Sequence, residues 1–367
     1  IDVLEDGHFE EAELLAGEVR TQAAREGDAE READALRVVT KAQIKEAESR
    51  GFEGLPDVEA LEGALKASSS EAFSFEKKGQ VTAKAITQLG SAEVCAAMDS
   101  HIQALQLAQQ ALSSLQQAGA AEVRVAMAHR CLADIYFAQG RYSLVVQETN
   151  RVKQHITKPS TMLEARELAA ALLTCAKARA NASEAQAADV ALEALTLCER
   201  MGDARNAAIA ACEEAKAYNG MKLGQAAGRK AASRAVALAK ETCDSKIEAA
   251  AWLASCNALQ SAGQRHDALK AGRQALTLAR EAKDLEVIGQ AVQALLSCSE
   301  PEKVAGIAEE EVMMAKKVGD YRREAYAQKG LATAMLMQER PREALRRATD
   351  CAERLKQLGD LKGEAKA

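Results

Sequence analysis

The residues of this chain that could perform chemistry are its cysteines, its histidines and its clustered carboxylates. Nine cysteines occur without a CxxC pair or a histidine at ligand spacing, at positions 95, 131, 175, 198, 212, 243, 256, 298 and 351. An odd, dispersed set of this kind indicates reduced thiols used as small core residues in a reducing compartment. The five histidines are far apart, and His129 falls where a packing side chain is expected, so we predict a core histidine.

Carboxylate runs and glycine-rich segments could supply acid–base or phosphate-binding chemistry. The runs EEAE at 10–13 and AEEEV at 308–312 lie on predicted helix surfaces, without an apolar enclosure that could raise a pKa, so we interpret both as solvated faces. The glycines near 224–228 lack a preceding strand and a GK[ST] ending, which leaves a phosphate loop unsupported. The basic segment 222–234 is interpreted as a charged outer face. We predict a non-enzymatic protein with no catalytic residue, no metal site and no cofactor.

Composition indicates which elements must position these residues. Hydrophobic types make up 48% of the 367 residues but aromatic ones only 3%, so alanine and leucine carry most of the apolar content. Alanine is the best helix former, whereas strands need the β-branched and aromatic residues that are scarce here. The sequence has no run that approaches the 18 apolar residues or so of a membrane span. An all-α, intracellular protein is predicted; we expect the cytoplasm, with import into an organelle left open.

Charge is distributed unevenly along the chain. The formal net charge of −6 argues against a nucleic-acid partner, because phosphate binding needs a concentrated basic surface. Residues 1–76 carry 20 acidic and 8 basic side chains, while 316–367 carry 13 basic and 8 acidic ones. This asymmetry is explained either by chance among solvated helix faces or by docking surfaces of opposite sign at the two ends. The chain begins at Ile1, which we interpret as a lost leader or a fragment.

A Gly-Asp dipeptide recurs along the sequence and defines a repeat. It stands at 27–28, 202–203, 319–320 and 359–360, with variants at 119–120, 243–244 and 283–284. From Asp203 onward the intervals between the second residues are 41, 40, 36 and 40 residues, so the period is close to 40. Glycine supplies a left-handed C-cap and aspartate an N-cap, so one dipeptide ends a helix and begins another. Further breaks at 138–142, 261–267, 299–303 and 338–343 divide each unit into two helices.

The residues within a unit resemble the tetratricopeptide repeat. In unit 120–160 the matching positions hold His129, Leu132, Ala133, Tyr136, Gly140, Tyr142 and Val145. In unit 244–283 they hold Trp252, Cys256, Leu259, Gly263, Ala268 and Ala275, and in unit 320–359 Leu331, Ala332, Met335, Pro341, Ala344 and Cys351. Small residues at the corresponding positions of the repeat let its helices approach closely. The resemblance implies an all-α, right-handed α-solenoid of stacked antiparallel helix pairs.

The long period is similar to the roughly 40-residue variant of kinesin light chains, of Leu-Gly-Asn-type adaptors and of some bacterial peptide-sensing regulators. The resemblance covers about residues 80–360. Three units depart from the pattern: 161–202 lacks the glycine-aromatic turn, 203–243 has a displaced turn at 219–224, and 284–319 is shortened near Pro301. We predict a superhelix of about seven repeats at 81–360, and the start of a further helix or a tail at 361–367.

Residues 1–80 are less regular than the rest of the chain. Helices are predicted at 8–25 and 29–49, followed by a short helix near 57–66. The segment 66–79 interrupts the pattern, and its run Ser68–Ser70 is interpreted as a surface loop. The whole region 1–80 is predicted to be a degenerate N-terminal repeat or cap with an insertion.

The resemblance also implies where a partner would bind. The first helix of each repeat lines the concave face, and one helical stripe of side chains points into the groove. The predicted partner-contacting residues are Arg130, Asp134, Phe137, Leu172, Arg179, Leu253, Asn257, Gln260, Tyr326, Lys329 and Thr333. We expect them to contribute little to the packing between repeats, and to suit an extended or helical peptide with some acidic character.

These observations favour a protein-interaction scaffold or adaptor, as a subunit of a larger assembly. Affinity would accumulate over several repeats, with other proteins or peptide segments as partners and no nucleic acid or membrane span involved. A peptide-sensing regulatory repeat protein is the first alternative. A helical-repeat RNA-binding protein is the second, although the acidic balance and the period disfavour it.

Overall fold

The computed structural model describes residues 8–50, 56–219, 224–282, 284–298, 301–319 and 321–357. This part of the chain forms seventeen helices and no strand, as the composition predicted. The helices are α1 (Phe9–Glu26), α2 (Ala29–Arg50), α3 (Val58–Lys77), α4 (Val81–Ala97), α5 (His101–Gln117), α6 (Glu122–Ala138), α7 (Tyr142–His155), α8 (Met162–Asn181), α9 (Ala187–Met201), α10 (Ala204–Asn219), α11 (Gln225–Glu241), α12 (Ser245–Ser261), α13 (Arg265–Glu281), α14 (Leu285–Cys298), α15 (Pro301–Val318), α16 (Tyr321–Met337) and α17 (Pro341–Gln357).

The helices group into two compact units, residues 1–201 and 202–367. Within each unit, consecutive helices pack as hairpins, and the even-numbered helices also pack on one another from hairpin to hairpin. We call the even-numbered helices A helices and the odd-numbered ones B helices. This arrangement of stacked helix pairs is the predicted helical-repeat fold. The predicted domain boundary at residue 80 stays a prediction, and the tail at 361–367 lies outside the described residues.

The Gly-Asp dipeptides separate the helices as the sequence predicted. Gly27 and Gly202 adopt the left-handed conformation, with φ of 75° and 72°, directly after a B helix. The carboxylates of Asp28 and Asp203 then accept hydrogen bonds from backbone amides in the first turn of the next A helix, at 3.1 and 2.9 Å. Asp244 and Asp284 repeat this N-cap. Residues 320 and 360 lie outside the described part of the chain.

Small residues bring the A and B helices close together. The small residues assigned to these contacts are all buried: Ala133, Cys256, Ala268, Ala275, Ala332, Ala344 and Cys351. Gly272 shows how tight the approach is, because a Cβ at this position would lie 2.8 Å from Leu295 Cδ2 and 3.2 Å from Cys256 Sγ. Burial therefore agrees with the packing positions that the sequence assigned to these small residues.

The thiols follow the sequence interpretation with one exception. All nine cysteines are free; eight are buried, whereas Cys243 is exposed. Cys243 stands at the helix junction with a φ of 53°, so its place in the repeat is that of a turn residue and not of a core residue. Burial raises the pKa of the Cys131 and Cys256 thiols to about 12, which keeps both protonated.

The N-terminal region corrects one prediction. The segment that the serine run was expected to interrupt is continuous helix, since α3 extends over Val58–Lys77. Ser68 is buried in this helix, and its hydroxyl lies 2.8 Å from that of Ser91 on α4. Serine was interpreted as a loop signal, but here it is a small polar residue that packs between helices and finds a hydrogen-bond partner. The helices predicted at 8–25 and 29–49 are confirmed.

Candidate interaction face

The A helices of the first unit bring charged side chains together on one face. Arg37 and Lys41 lie on α2, Glu93 on α4, Arg130 and Asp134 on α6, and Glu167 on α8. We call these six residues the A-helix charge cluster. Their positions come from helices that the alanine-rich repeat packing holds side by side, so each helix contributes one layer.

Arg130 is the centre of the cluster. Its Nη2 donates to Glu93 Oε1 at 2.9 Å and its Nε to Glu167 Oε2 at 2.6 Å, on the A helices before and after its own. Nη1 donates to Asp134, one turn further along α6. Asp134 also accepts a hydrogen bond of 2.7 Å from Thr174 on α8. One guanidinium therefore ties three consecutive A helices together.

Ion pairs also join helices that are not neighbours in the stack. Arg37 on α2 donates to Glu93 on the next A helix at 2.6 Å, and its Nη1 also lies 4.0 Å from Glu167 on α8, two A helices further along the stack. Arg124 on α6 makes a two-bond contact with Asp34 on α2, at 2.6 and 2.7 Å. Such contacts require α2, α6 and α8 to converge on this face. The charged side chains of these helices therefore pair with one another across this face.

Burial and mutual attraction fix the protonation of the cluster. Burial by itself would raise the pKa of Glu93, but Arg37, Lys41 and Arg130 outweigh it and hold that pKa well below its usual range. The pKa of Glu167 is lowered in the same way, against its burial, by Arg130 and Arg37. Lys41 is only partly buried; loss of solvent around its amine lowers its pKa, and the two arginines add to this effect. Both carboxylates stay ionised, which suits a binding or structural role.

Three of the predicted groove residues in the first unit occupy other settings. Phe137 is half-buried and packs against Tyr142, with ring centroids 6.0 Å apart. Arg179 donates to Glu184 and Gln186 in the turn that follows α8. Leu172 is 1% exposed, so its assignment as a groove residue is wrong: it lies in the core between helices. The position that the repeat pattern assigns to the groove is here turned toward a neighbouring helix.

The expectation that Arg130 contributes little to packing between repeats is also wrong. Its side chain is only 9% exposed, and its partners lie on the helices of adjacent repeats. The sequence showed a cation at a groove position but not the carboxylates that enclose it. Arg130 and Asp134, both predicted groove residues, pair with each other through their side chains.

In the second unit the predicted groove residues lie on α12 and α16. Leu253 is 3% exposed and belongs to the core with Cys256, which makes its assignment wrong for the same reason as that of Leu172. The others are half-buried; they are Asn257, Gln260, Tyr326, Lys329 and Thr333. Tyr326 packs beside Leu355, and the Thr333 hydroxyl donates to the Lys329 carbonyl within its own helix. Contact of these residues with a partner stays a prediction.

Sequence reasoning missed Arg37, Glu93 and Glu167. A signal was present, because Glu93, Arg130 and Glu167 follow one another at intervals of 37 residues. Equivalent positions on consecutive A helices that carry charges of alternating sign are expected to pair across the stack. The helix junctions that define the repeat carry no information about these charges, which become apparent only when equivalent A-helix positions are compared.

Two further groups of charged or titratable side chains are buried, and each differs in one respect from the sequence interpretation. Glu311, from the run interpreted as a solvated face, is fully buried and accepts hydrogen bonds from Arg280 and Arg323 at 2.6 and 2.5 Å. His129 is a core residue as predicted, and its Nδ1 lies 2.7 Å from Glu148. Its ring stacks on that of His155, with centroids 5.5 Å apart, although the two were expected to lie far from each other.

A shallow cleft of about 310 Å³ lies between α11 and α12. Arg229, Lys230 and Ser233 form one wall and Ser255 and Leu259 the other. The first three are exposed, which agrees with the interpretation of the basic segment as an outer face. Among the described residues, no group of three or more potential ligands could hold a metal ion. No helix in this part of the chain is long and apolar enough to cross a membrane.

Several solved structures are similar in fold to this chain. RapI in its apo form is similar with a TM-score of 0.59 and 14% identity, over 97% of this chain and 96% of that one. The apo quorum sensor NprR from B. thuringiensis is similar with a TM-score of 0.56 and 11% identity, over 95% and 99%. Aspartyl phosphate phosphatase F from Bacillus subtilis is similar with a TM-score of 0.55 and 11% identity, over 99% of this chain and 92% of that one.

Identities this low establish the fold alone. The described helices and these three structures together show an all-α helical-repeat protein built from stacked helix pairs, as the tetratricopeptide resemblance predicted. No family model matches the sequence, and no curated protein matches it.

Proposed function

We propose that this chain is a non-enzymatic protein-interaction scaffold that acts as a subunit of a larger assembly. The observation that carries the proposal is the A-helix charge cluster, in which four successive A helices hold their charged groups in one preformed face. A ligand that binds such a face meets several repeats at once, so its affinity is the sum of many small contacts. The buried charged groups of the cluster bond to one another, so a partner would contact the exposed rim and not the enclosed guanidinium of Arg130.

The rim of the cluster indicates what kind of partner would fit. Four side chains at its edge keep about a third or more of their surface exposed: Glu30, Asp34, Lys41 and Asp134. Three of these four are carboxylates, whereas the guanidinium of Arg130 is enclosed. We therefore favour a protein segment with basic side chains, in contrast to the acidic peptide expected from the sequence. An acidic rim also supports the exclusion of nucleic acid.

The test is affinity purification of the chain with crosslinking mass spectrometry, repeated with Asp34→Asn and Asp134→Asn combined. These changes keep the shape of the rim and remove two charges. We expect crosslinks from partners to α2 and α6 in the wild type, and a clear loss of those partners in the variant. Asp267→Asn with Glu281→Gln, two exposed sites on α13, is the matched control. Partners recovered equally from all three proteins would contradict the proposal.

A peptide-sensing regulator is the second candidate, and a specific contact favours it. Arg37 and Glu167 approach to 4.0 Å although α2 and α8 are separated by two other A helices. A charged segment that replaced one partner of this long-range pair would change how closely the two helices converge. Small-angle scattering with and without a captured segment would detect such a change. An unchanged scattering profile at saturation would leave the scaffold as the better description.

We also propose a reducing intracellular compartment, most simply the cytoplasm. Eight buried free thiols support this location, because an oxidising compartment would favour pairing of closely placed cysteines. Cys256 and Cys298 are close enough to hydrogen-bond, so a disulfide between these two residues would be the first sign of an oxidising compartment. Mass spectrometry of the alkylated native protein measures their state directly.

A further inference from the structure

The first helix that the structure describes carries an exposed apolar stripe. Helix α1 packs on α2 through three small residues, Ala12, Ala16 and Ala23. Away from this contact, Leu14 is 64% exposed and Leu15 is 42% exposed, and Val19 joins them one turn further on. Three large aliphatic side chains exposed along one helix form a surface that favours a partner.

Acidic side chains frame this stripe. Glu11 and Glu18 are exposed on the same side of α1 as Leu14 and Leu15. The helix as a whole holds five glutamates and two arginines, so the charge around the stripe is negative. We call the stripe and these two glutamates the head face. A partner for the head face must offer apolar surface surrounded by basic groups.

The last described helix offers a surface of that kind. Helix α17 packs on α16 through Ala344, Cys351 and Leu355. Leu345 is 69% exposed, and the exposed guanidinium groups of Arg342 and Arg346 stand beside it. The helix holds five basic and three acidic side chains. Leu336, at the end of the preceding helix α16, is also exposed. We call Leu336, Arg342, Leu345 and Arg346 the tail face.

We propose that the head face of one copy binds the tail face of a second copy. The argument is complementarity: each face has exposed aliphatic side chains at its centre, and the framing charges have opposite sign on the two faces. Every copy carries both faces, so the contact is heterologous and can be repeated from copy to copy. Like faces repel each other, which favours head-to-tail association over a symmetric dimer.

The chemistry of the two faces sets the salt dependence of the contact. Exposed ion pairs are weak individually and are screened when the Debye length falls from about 10 Å at about 0.1 M salt to about 3 Å at about 1 M. The aliphatic side chains supply attraction that salt does not screen. Association should therefore weaken as salt rises, without disappearing.

Sedimentation velocity over a range of protein concentrations tests the contact on the full chain. The head variant combines Glu11→Lys with Glu18→Lys, and the tail variant combines Arg342→Glu with Arg346→Glu. At low salt we expect the mean mass of the wild type to rise with concentration. Each variant alone should need at least about tenfold more protein to reach the same mean mass, because like charges then face each other.

An equimolar mixture of the head and tail variants is the decisive sample. The reversed head then meets a reversed tail, and the native tail meets a native head, so opposite charges face each other at both contacts. We expect association to return in the mixture. Lys270→Glu combined with Arg273→Glu, at exposed sites on α13, is the matched control and should associate like the wild type.

Three results would overturn the proposal. A wild type that stays monomeric at every concentration and at low salt would do so directly. Equal weakening by the control variant would show that net charge alone is responsible. A mixture that stays as weak as its two components would show that the two faces do not meet. Thermal unfolding of each variant, with a midpoint close to that of the wild type, establishes that the charge reversals leave the fold intact.

Discussion

Replacement of Arg130 by methionine should destabilise the first unit far more than its position on a predicted groove suggests. Methionine keeps much of the length of the side chain but removes the charge, so Glu167 loses its 2.6 Å partner and keeps Arg37 only at 4.0 Å. Removal of one member of a buried ion pair costs about 3–5 kcal/mol, because the remaining charge is left buried without compensation. We expect an effect in this range.

Urea unfolding followed by circular dichroism measures the loss. With an m-value of about 3 kcal/mol per molar urea, a loss of about 3–5 kcal/mol corresponds to a midpoint shift of about 1–1.7 M. Hydrogen exchange localises it: amides of α4, α6 and α8 should lose protection. Those of α12 and α16 in the second unit should keep theirs. Arg200→Met, an exposed arginine on α9, is the control and should cost about 0.5 kcal/mol or less.

A second substitution tests the reasoning itself. If the cost of Arg130→Met comes from the orphaned carboxylate, then adding Glu167→Gln should recover part of it, since the buried charge is removed as well. The reasoning is refuted by an Arg130→Met protein whose unfolding free energy lies within about 0.5 kcal/mol of the wild type. Strictly additive losses in the double variant would likewise show that the two side chains do not interact.

Three more outcomes are expected. The pKa of Glu93 is lower in the folded than in the unfolded chain, so Glu93 stabilises the fold fully above its unfolded pKa of about 4.3, and this stabilisation is lost as pH falls. Urea titrations below about pH 5 should show a falling free energy of unfolding. The dependence of that free energy on pH should be shallower for Arg130→Met. Gly272→Ala should lower the free energy of unfolding by about 1–3 kcal/mol, because the added methyl group overpacks the helix contact. Gly289→Ala, at a helical position with open space around it, should raise that free energy by about 0.5–1 kcal/mol. Equal melting temperatures for the two variants would contradict the assigned helix packing. Ser68→Ala should destabilise the fold by about 1 kcal/mol, because the hydroxyl of Ser91 loses its contact with Ser68. The same change at Ser70, which is exposed, should be nearly neutral. Proteolytic cleavage of the wild type at either serine would support a surface loop there.

The helix junctions could be predicted from sequence because their determinants are local. A glycine that must adopt positive φ and an aspartate that must cap an amide constrain a few consecutive residues, and no distant partner is needed. For that reason Gly27-Asp28 and Gly202-Asp203 are recognisable without any knowledge of the fold. The small residues follow from the same register, since helix packing fixes which positions face a neighbour.

The charge cluster could not be predicted in the same way, because its partners come from different repeats. Arg130 looks like an exposed groove cation on its own helix, and only the convergence of α2, α4 and α8 encloses it. Ser68 shows the same limit: serine favours loops by its local chemistry, and the neighbouring α4 decides that it packs in a helix instead. The average geometry of the repeat predicts that Leu172 and Leu253 face the groove. It does not describe how closely these particular helices approach, and both side chains are buried.

The ion pairs between α2, α6 and α8 also bear on how this array could have grown. Repeat proteins usually interact only between nearest neighbours, so duplication or loss of a hairpin leaves the remaining contacts intact. Here Asp34 pairs with Arg124 across one intervening A helix. Arg37 lies 4.0 Å from Glu167 across two intervening A helices. Insertion of a duplicated hairpin into this stretch would separate both pairs, and buried Arg124 would lose its two hydrogen bonds to Asp34. Selection should therefore hold the number of repeats in the first unit constant, and any lengthening of the array is expected outside it.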